Sequence, residues 1–351
     1  MFGKAKKSHR GEAPPALSGW GTAPNAKTAA PSGLPAVLVP DAAKSDAAEP
    51  PFRRQGSAKT PPVGKPASEL PPPSTFDTPK AGTEVSGTIA AAAAGASCPR
   101  WVAVDLETSG FSDMANHIIE MGAWAIVDGE ERNPPESLSL LCKPDADSFG
   151  PNDAIGPEGP TQEQMLRRLD MHPMAVKKHA FEAEEIIRDG APLTAALQRL
   201  IAVIIGDDDT SEDASTCLVF HNAPFDTRFL QTATAPRKAV LAQHFVDASP
   251  ARFKRAMAAI NTLSRTPGLP AAELLPVCCT QALFRQLFPR QPYDLDSALR
   301  FVGAAVRRET SIHRAAEDAH LTVLLFRHLS ATAADVVETA NEAATADEPA
   351  A

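Results

Sequence analysis

Trp101-Val-Ala-Val-Asp105-Leu-Glu107-Thr-Ser-Gly110-Phe111 decides how the rest of this chain is read. An apolar run, Val102 to Val104, leads directly into two acids. Side chains alternate faces along a strand, so Asp105 and Glu107 project side by side from a buried one. Adjacent carboxylates repel unless a proton or a cation sits between them. Paired oxygen ligands at this spacing suit Mg²⁺ or Mn²⁺. Taken alone, Asp-x-Glu is more often just two solvated acids at a strand end.

The surrounding composition narrows the choice. The chain has 351 residues and a formal net charge of −9, which argues against a protein that coats long duplexes through charge. The charge is uneven. Residues 1–97 carry eleven Lys/Arg against seven Asp/Glu, whereas residues 331–351 carry five acids and no base. Bound cations would offset the acidic middle. Five cysteines without a Cys-x-x-Cys pair or an apolar secretory segment point to a reducing intracellular compartment, cytoplasm or nucleus, and away from a zinc site. No apolar run has the length of a membrane span.

Residues 1–97 hold 15 of the 33 prolines and read as a disordered Ala/Pro-rich tail. Pro71-Pro72-Pro73 offers a short polyproline ligand for a protein partner, and the basic N-terminus is compatible with a mitochondrial targeting segment. The ordered domain is expected over 98–330, with an acidic disordered tail over 331–351.

Within the domain, residues 100–107, 118–127 and 137–142 read as strands, the last two joined across a hairpin signal at Asp128-Gly129. A polar connection follows, then helical patterning over 161–178 broken at Pro173 and over 192–205. Residues 207–216 form an acidic loop and 217–220 a short buried strand. Helices are expected over 224–233, 279–288, 295–302 and 314–329, with 235–276 long and partly helical. Three strands followed by alternating helices and strands argue an α/β fold with a mixed sheet.

Two further constellations carry chemistry. In Leu218-Val-Phe-His-Asn-Ala-Pro-Phe-Asp226, an acid falls on the first turn of a helix, where a helix dipole alone would favour it. In His313-Arg-Ala-Ala-Glu-Asp318, a histidine opens a helix and an acid follows one turn in. Each is weak alone. Together, in the order Asp-x-Glu, Asp, His-x4-Asp, they resemble the histidine subtype of the DEDD exonuclease superfamily, which includes proofreading subunits, ribonuclease T and oligoribonucleases. Asp105, Glu107, Asp226, His313 and Asp318 carry the match. Thr108, Gly110, Glu120, Gly122-Ala123, His221-Asn222, Phe225, Phe229, His179 and Ala319 support it. The resemblance spans roughly 100–330. It departs from the family at the longer 143–178 and 235–276 segments, and at Cys279-Thr280, where the family has Asp-Thr.

The resemblance implies a ribonuclease H-like fold and two-metal hydrolysis of phosphodiester bonds at the 3′ end of single-stranded RNA or DNA. Asp105, Glu107, Asp226 and Asp318 are then the ligands of two divalent cations, Mg²⁺ or Mn²⁺. His313 is the general base, because an imidazole with an ordinary pKa of about 6.5 accepts a proton near neutrality. Thr108 and Phe111 would hold the terminal nucleotide, Phe111 by stacking. Asn222 would contact a phosphate, cap the following helix, or both. The competing reading from another class is a non-catalytic nucleic-acid- or protein-binding module that kept the fold; retention of all five residues speaks against it.

Overall fold

The computed structural model describes residues 87–131, 136–207, 215–304, 308 and 310–346. The proline-rich segment before residue 87, the acidic loop at 208–214 and the last five residues lie outside the described residues.

The chain order is α1 (Gly87–Ala96), β1 (Arg100–Thr108), β2 (Ile118–Val127), β3 (Glu130–Glu131), β4 (Ser137–Lys143), α2 (Gln162–Leu169), α3 (Pro173–His179), α4 (Ala183–Asp189), β5 (Ala191–Pro192), α5 (Leu193–Ile205), β6 (Thr216–Phe220), α6 (Ala223–Thr234), α7 (Lys238–His244), α8 (Pro250–Leu263), β7 (Val277–Cys279), α9 (Thr280–Leu287), α10 (Leu295–Phe301) and α11 (Ala315–Ala346). The sheet runs β5-β4-β2-β1-β6-β7, with β3 also on β2. β2 is antiparallel to β1 and β4, whereas β6 and β7 continue parallel to β1. This is the mixed sheet flanked by helices of the ribonuclease H-like fold.

The period-two rule sorts β1. Val102, Val104 and Leu106 enter one core layer, beneath α5, α6 and α8. Trp101 and Ala103 enter the other, beneath α1, α9, α10 and α11. Asp105 and Glu107 share this second face, and α11 runs across it. Asp128 and Gly129 both have positive φ, 54° and 80°, which turns the chain from β2 into β3.

Several elements differ from the sequence expectation. Residues 87–96, counted with the tail, form α1. Their unbroken alanines favour helix, and no proline falls among them. Gly95 accepts a hydrogen bond from Trp101 Nε1 at 3.1 Å, and Ile89 and Ala92 are buried. The final helix continues past 330 to Ala346, with Ala333 fully buried. The expected break in the 161–178 stretch is present: Asp170 turns left-handed at φ 35° after α2, and Pro173 opens α3. Val277–Cys279 is a strand, too short and too close to Pro276 to carry a periodic signal. α4 was hidden between His179 and Gly190. Within the extended 235–276 segment, α7 and α8 close the core layer over α5.

Candidate active site

All five chemistry-bearing residues meet at the C-terminal ends of β1 and β6. Asp105, Asp226, His313 and Asp318 line one cleft of about 360 Å³, together with Lys178, His221, Asn222, Asp294, Asp296 and Arg308. Glu107 lies behind them, 3% exposed. Its Oε1 is 4.0 Å from His313 Nδ1.

The local chain explains each placement. β1 bulges between Glu107 and Thr108, where its register with β2 shifts. Bulges of this kind re-aim side chains at the edge of a site. The turn beyond is fixed by Thr108 Oγ1 donating to the Gly110 carbonyl at 2.6 Å. Ser109 N donates to the His117 carbonyl at 2.8 Å. Asp226 sits in the first turn of α6, which begins straight after β6. A backbone hydrogen bond from Leu106 reaches its carboxylate, tying it to β1.

Asp318 comes from the far end of the chain. α11 starts directly over β2: a Cβ on Gly122 would fall 2.0 Å from the Ala315 carbonyl carbon. Only glycine permits this crossing. Glu120, 4% exposed, accepts from the Ala315 amide at 3.0 Å and so holds the helix start in place. His313 N donates to the Lys178 carbonyl at 3.0 Å, and Arg314 Nη1 donates to the His179 carbonyl at 2.9 Å. The extended 143–178 segment thus packs against the histidine motif through α3.

The electrostatics are those of crowded acids. Burial pushes Asp105 well above the ordinary carboxylate range, and the charges of Asp226, Asp318 and Glu107 push it further. Burial likewise raises Asp226 well above that range, and raises Glu107 to about 7 against the opposing pull of Lys178. Asp318 goes the other way. Burial raises it, but hydrogen bonds from His313 and Arg308 outweigh burial and hold it below its usual value. An ionised Asp318 only accepts, so His313 Nδ1, 2.9 Å from Asp318 Oδ2, is the donor. This leaves His313 Nε2 as the acceptor of the neutral ring.

The donor set fits divalent cations. Ligand atoms of Glu107, His313 and Asp318 all lie within 4.8 Å of one another. Glu107 Oε1 is buried without a hydrogen-bond partner. A buried carboxylate oxygen in that condition is costly unless it is protonated or faces a cation. Of this set the carboxylate oxygens are the hard ligands a divalent cation such as Mg²⁺ takes, whereas the His313 ring is engaged with Asp318.

The remaining sequence candidates fall as follows. Phe111 is 60% exposed and meets only the edge of His172, with ring centroids 5.2 Å apart, so it is not a core residue. Asn222 is exposed and left-handed at φ 71°, and its side chain makes no capping hydrogen bond; the expected cap is absent and the amide faces the cleft. Thr280, in the family's Asp-Thr position, is fully buried and 2.9 Å from His221 Nδ1. His320, just beyond the histidine motif, stacks on Trp124 with ring centroids 4.1 Å apart. Sequence reasoning missed Lys178, whose Nζ is 3.8 Å from Glu107 Oε2, and Arg308, which ion-pairs with Asp318. Neither belongs to a motif, and only their position in space marks them.

No protein-family model and no curated protein sequence matches the chain. Solved structures do. Exonuclease X in complex with 5′ overhanging duplex DNA matches with TM-score 0.36 and 18% identity, covering 67% of this chain and 98% of that one. E. coli Exonuclease I with a dT13 oligonucleotide matches with TM-score 0.42 and 14% identity, covering 68% of this chain and 42% of that one. The zinc-bound E. coli Exonuclease I–single-stranded DNA complex gives TM-score 0.41, 15% identity and coverages of 68% and 43%. This chain therefore spans less than half the length of Exonuclease I.

Proposed function

We propose that this protein is a metal-dependent 3′→5′ exonuclease of the histidine subtype, acting on the 3′ ends of single-stranded RNA or DNA and releasing nucleoside 5′-monophosphates. One observation carries the reading. Three carboxylates and a histidine, drawn from three distant segments, line one cleft, and a fourth, Glu107, is buried beside His313 with its Oε1 lacking a hydrogen-bond partner. A merely structural cluster of acids would be paired or solvated.

Asp105, Glu107, Asp226 and Asp318 would hold the cations, Mg²⁺ or Mn²⁺. When bound, these supply Lewis-acid stabilisation of the phosphoryl oxygens and an acidified water. His313 takes the proton of the attacking water at Nε2, with Asp318 orienting the ring through Nδ1. Phe111 presents an exposed ring on which any terminal base can stack. In this reading the exposed amide of Asn222 binds a phosphate oxygen and the backbone near Thr108 meets the terminal sugar.

The test is a panel of labelled single-stranded RNA and DNA, with free or phosphorylated 3′ ends, assayed with Mg²⁺, Mn²⁺ or EDTA. Stepwise release of 5′-monophosphates from free 3′ ends, lost with EDTA and with Asp105→Ala or Asp318→Ala, is the expected result. Equal cleavage of circular or 3′-blocked strands refutes the polarity. Binding without hydrolysis under every condition would favour the non-catalytic module.

A further inference from the structure

Arg308 is a buried charge in the cleft that the proposed chemistry does not use. Its side chain is 7% exposed. The guanidinium pairs through Nη1 with Asp318 Oδ1, and Nε lies 3.5 Å from Asp296 Oδ1. Asp318 thus has its two oxygens divided, Oδ2 facing His313 and Oδ1 facing Arg308. One ligand oxygen of the proposed cation site is therefore already claimed by a fixed positive charge.

Arginine has properties that suit a second station. Its fork of donors matches phosphate oxygens, and it holds its charge throughout the physiological range. Arg308 lines the same cleft as Asp105, Asn222 and His313, so a phosphate brought there lies within the reach of its side chain. Asp296, its second anchor, is 45% exposed, so letting go of it costs little.

Building on the exonuclease reading, we propose that Arg308 exchanges partners: it neutralises Asp318 Oδ1 before the cation arrives, yields that oxygen to the cation, and then ligates the phosphate of the bound nucleotide. Arg308 is thereby a substrate-binding residue that also sets the cation affinity of the site. The exchange has a two-part signature. Removing the guanidinium tightens cation binding, because a competitor is gone, and weakens phosphate binding, because a ligand is gone. A counterion acting through its charge alone would shift both affinities in those same directions on removal, but a lysine in its place would then restore both to wild-type values.

Full-length Arg308→Gln and wild type are compared by titration calorimetry, first with Mn²⁺ alone, then with AMP at saturating Mn²⁺. The expected result is Mn²⁺ bound about tenfold tighter and AMP about tenfold weaker in Arg308→Gln, shifts typical of a partly screened charge pair. Both affinities falling together, or neither moving, overturns the proposal. Arg308→Lys, measured alongside, keeps the charge but cannot form the two-pronged contact, so it must still bind AMP more weakly than wild type; wild-type values there overturn the proposal, also where Arg308→Gln fails to fold. Wild-type protein that binds no Mn²⁺ sinks the exonuclease reading itself, whereas wild-type binding without opposed shifts sinks only the role of Arg308.

Discussion

Glu107→Gln should make the metal-free protein more stable at pH 7.5, although it removes a residue of the proposed active site. Glu107 is 3% exposed, and burial raises its pKa from 4.5 to about 7. A carboxyl displaced that far represents about 3 kcal/mol of preference for the protonated form in the native state. Between pH 4.5 and 7 the folded protein therefore binds more protons at this group than the unfolded chain does. Stability consequently falls as pH rises through that window and levels off above it. Burial acts on Asp105 and Asp226 in the same sense. Asp318, held low, contributes stability that is lost only as pH drops below the ordinary carboxylate range, a separate window. At about 2–4 °C per kcal/mol for a domain of this size, the Glu107 contribution alone lowers Tm by roughly 6–12 °C between pH 5 and 7.5. Glutamine removes that contribution and keeps the shape. The assay is a set of melting curves from pH 5 to 8 in EDTA, for wild type and Glu107→Gln, repeated with Mg²⁺. The wild-type slope should flatten with Mg²⁺, and the variant should melt higher than wild type at pH 7.5 in EDTA only. A variant that melts lower than wild type at pH 7.5 in EDTA would refute the idea that Glu107 is an uncompensated buried acid awaiting a cation.

Three further outcomes are expected. Gly122→Ala should cost at least about 2 kcal/mol in chemical denaturation and reduce activity, because its Cβ would lie 2.0 Å from the Ala315 backbone and α11 must shift, moving Asp318; unchanged stability and kcat would contradict the close crossing. His313→Ala should lower kcat by about 10²–10⁴ and lose the acidic limb of the pH profile while keeping most cation affinity; a lowered Tm with unchanged kcat and pH profile would make the histidine a helix cap instead. A chain starting at residue 98 should melt below one starting at residue 87, since it loses the α1 cover over Trp101, Cys217 and Cys278; equal melting temperatures would show that α1 contributes no stability.

The sequence by itself determined the alternation of β1, the presence of most strands and helices, and the five candidate residues that the structure brings together. Those signals are local. Val102, Val104 and Leu106 alternate with Asp105 and Glu107 because of the pleat, and Asp226 and Asp318 sit at fixed helical offsets from their neighbours. Only the tertiary structure decided that α11 crosses β2 over Gly122, that Glu120 holds its first amide, and that Lys178 and Arg308 enter the cleft. It also decided that the alanine run at 87–96 has a surface to pack on. Those facts depend on which elements meet when the sheet closes, so they are written in distances between segments far apart in the chain, and no periodicity within one segment encodes them.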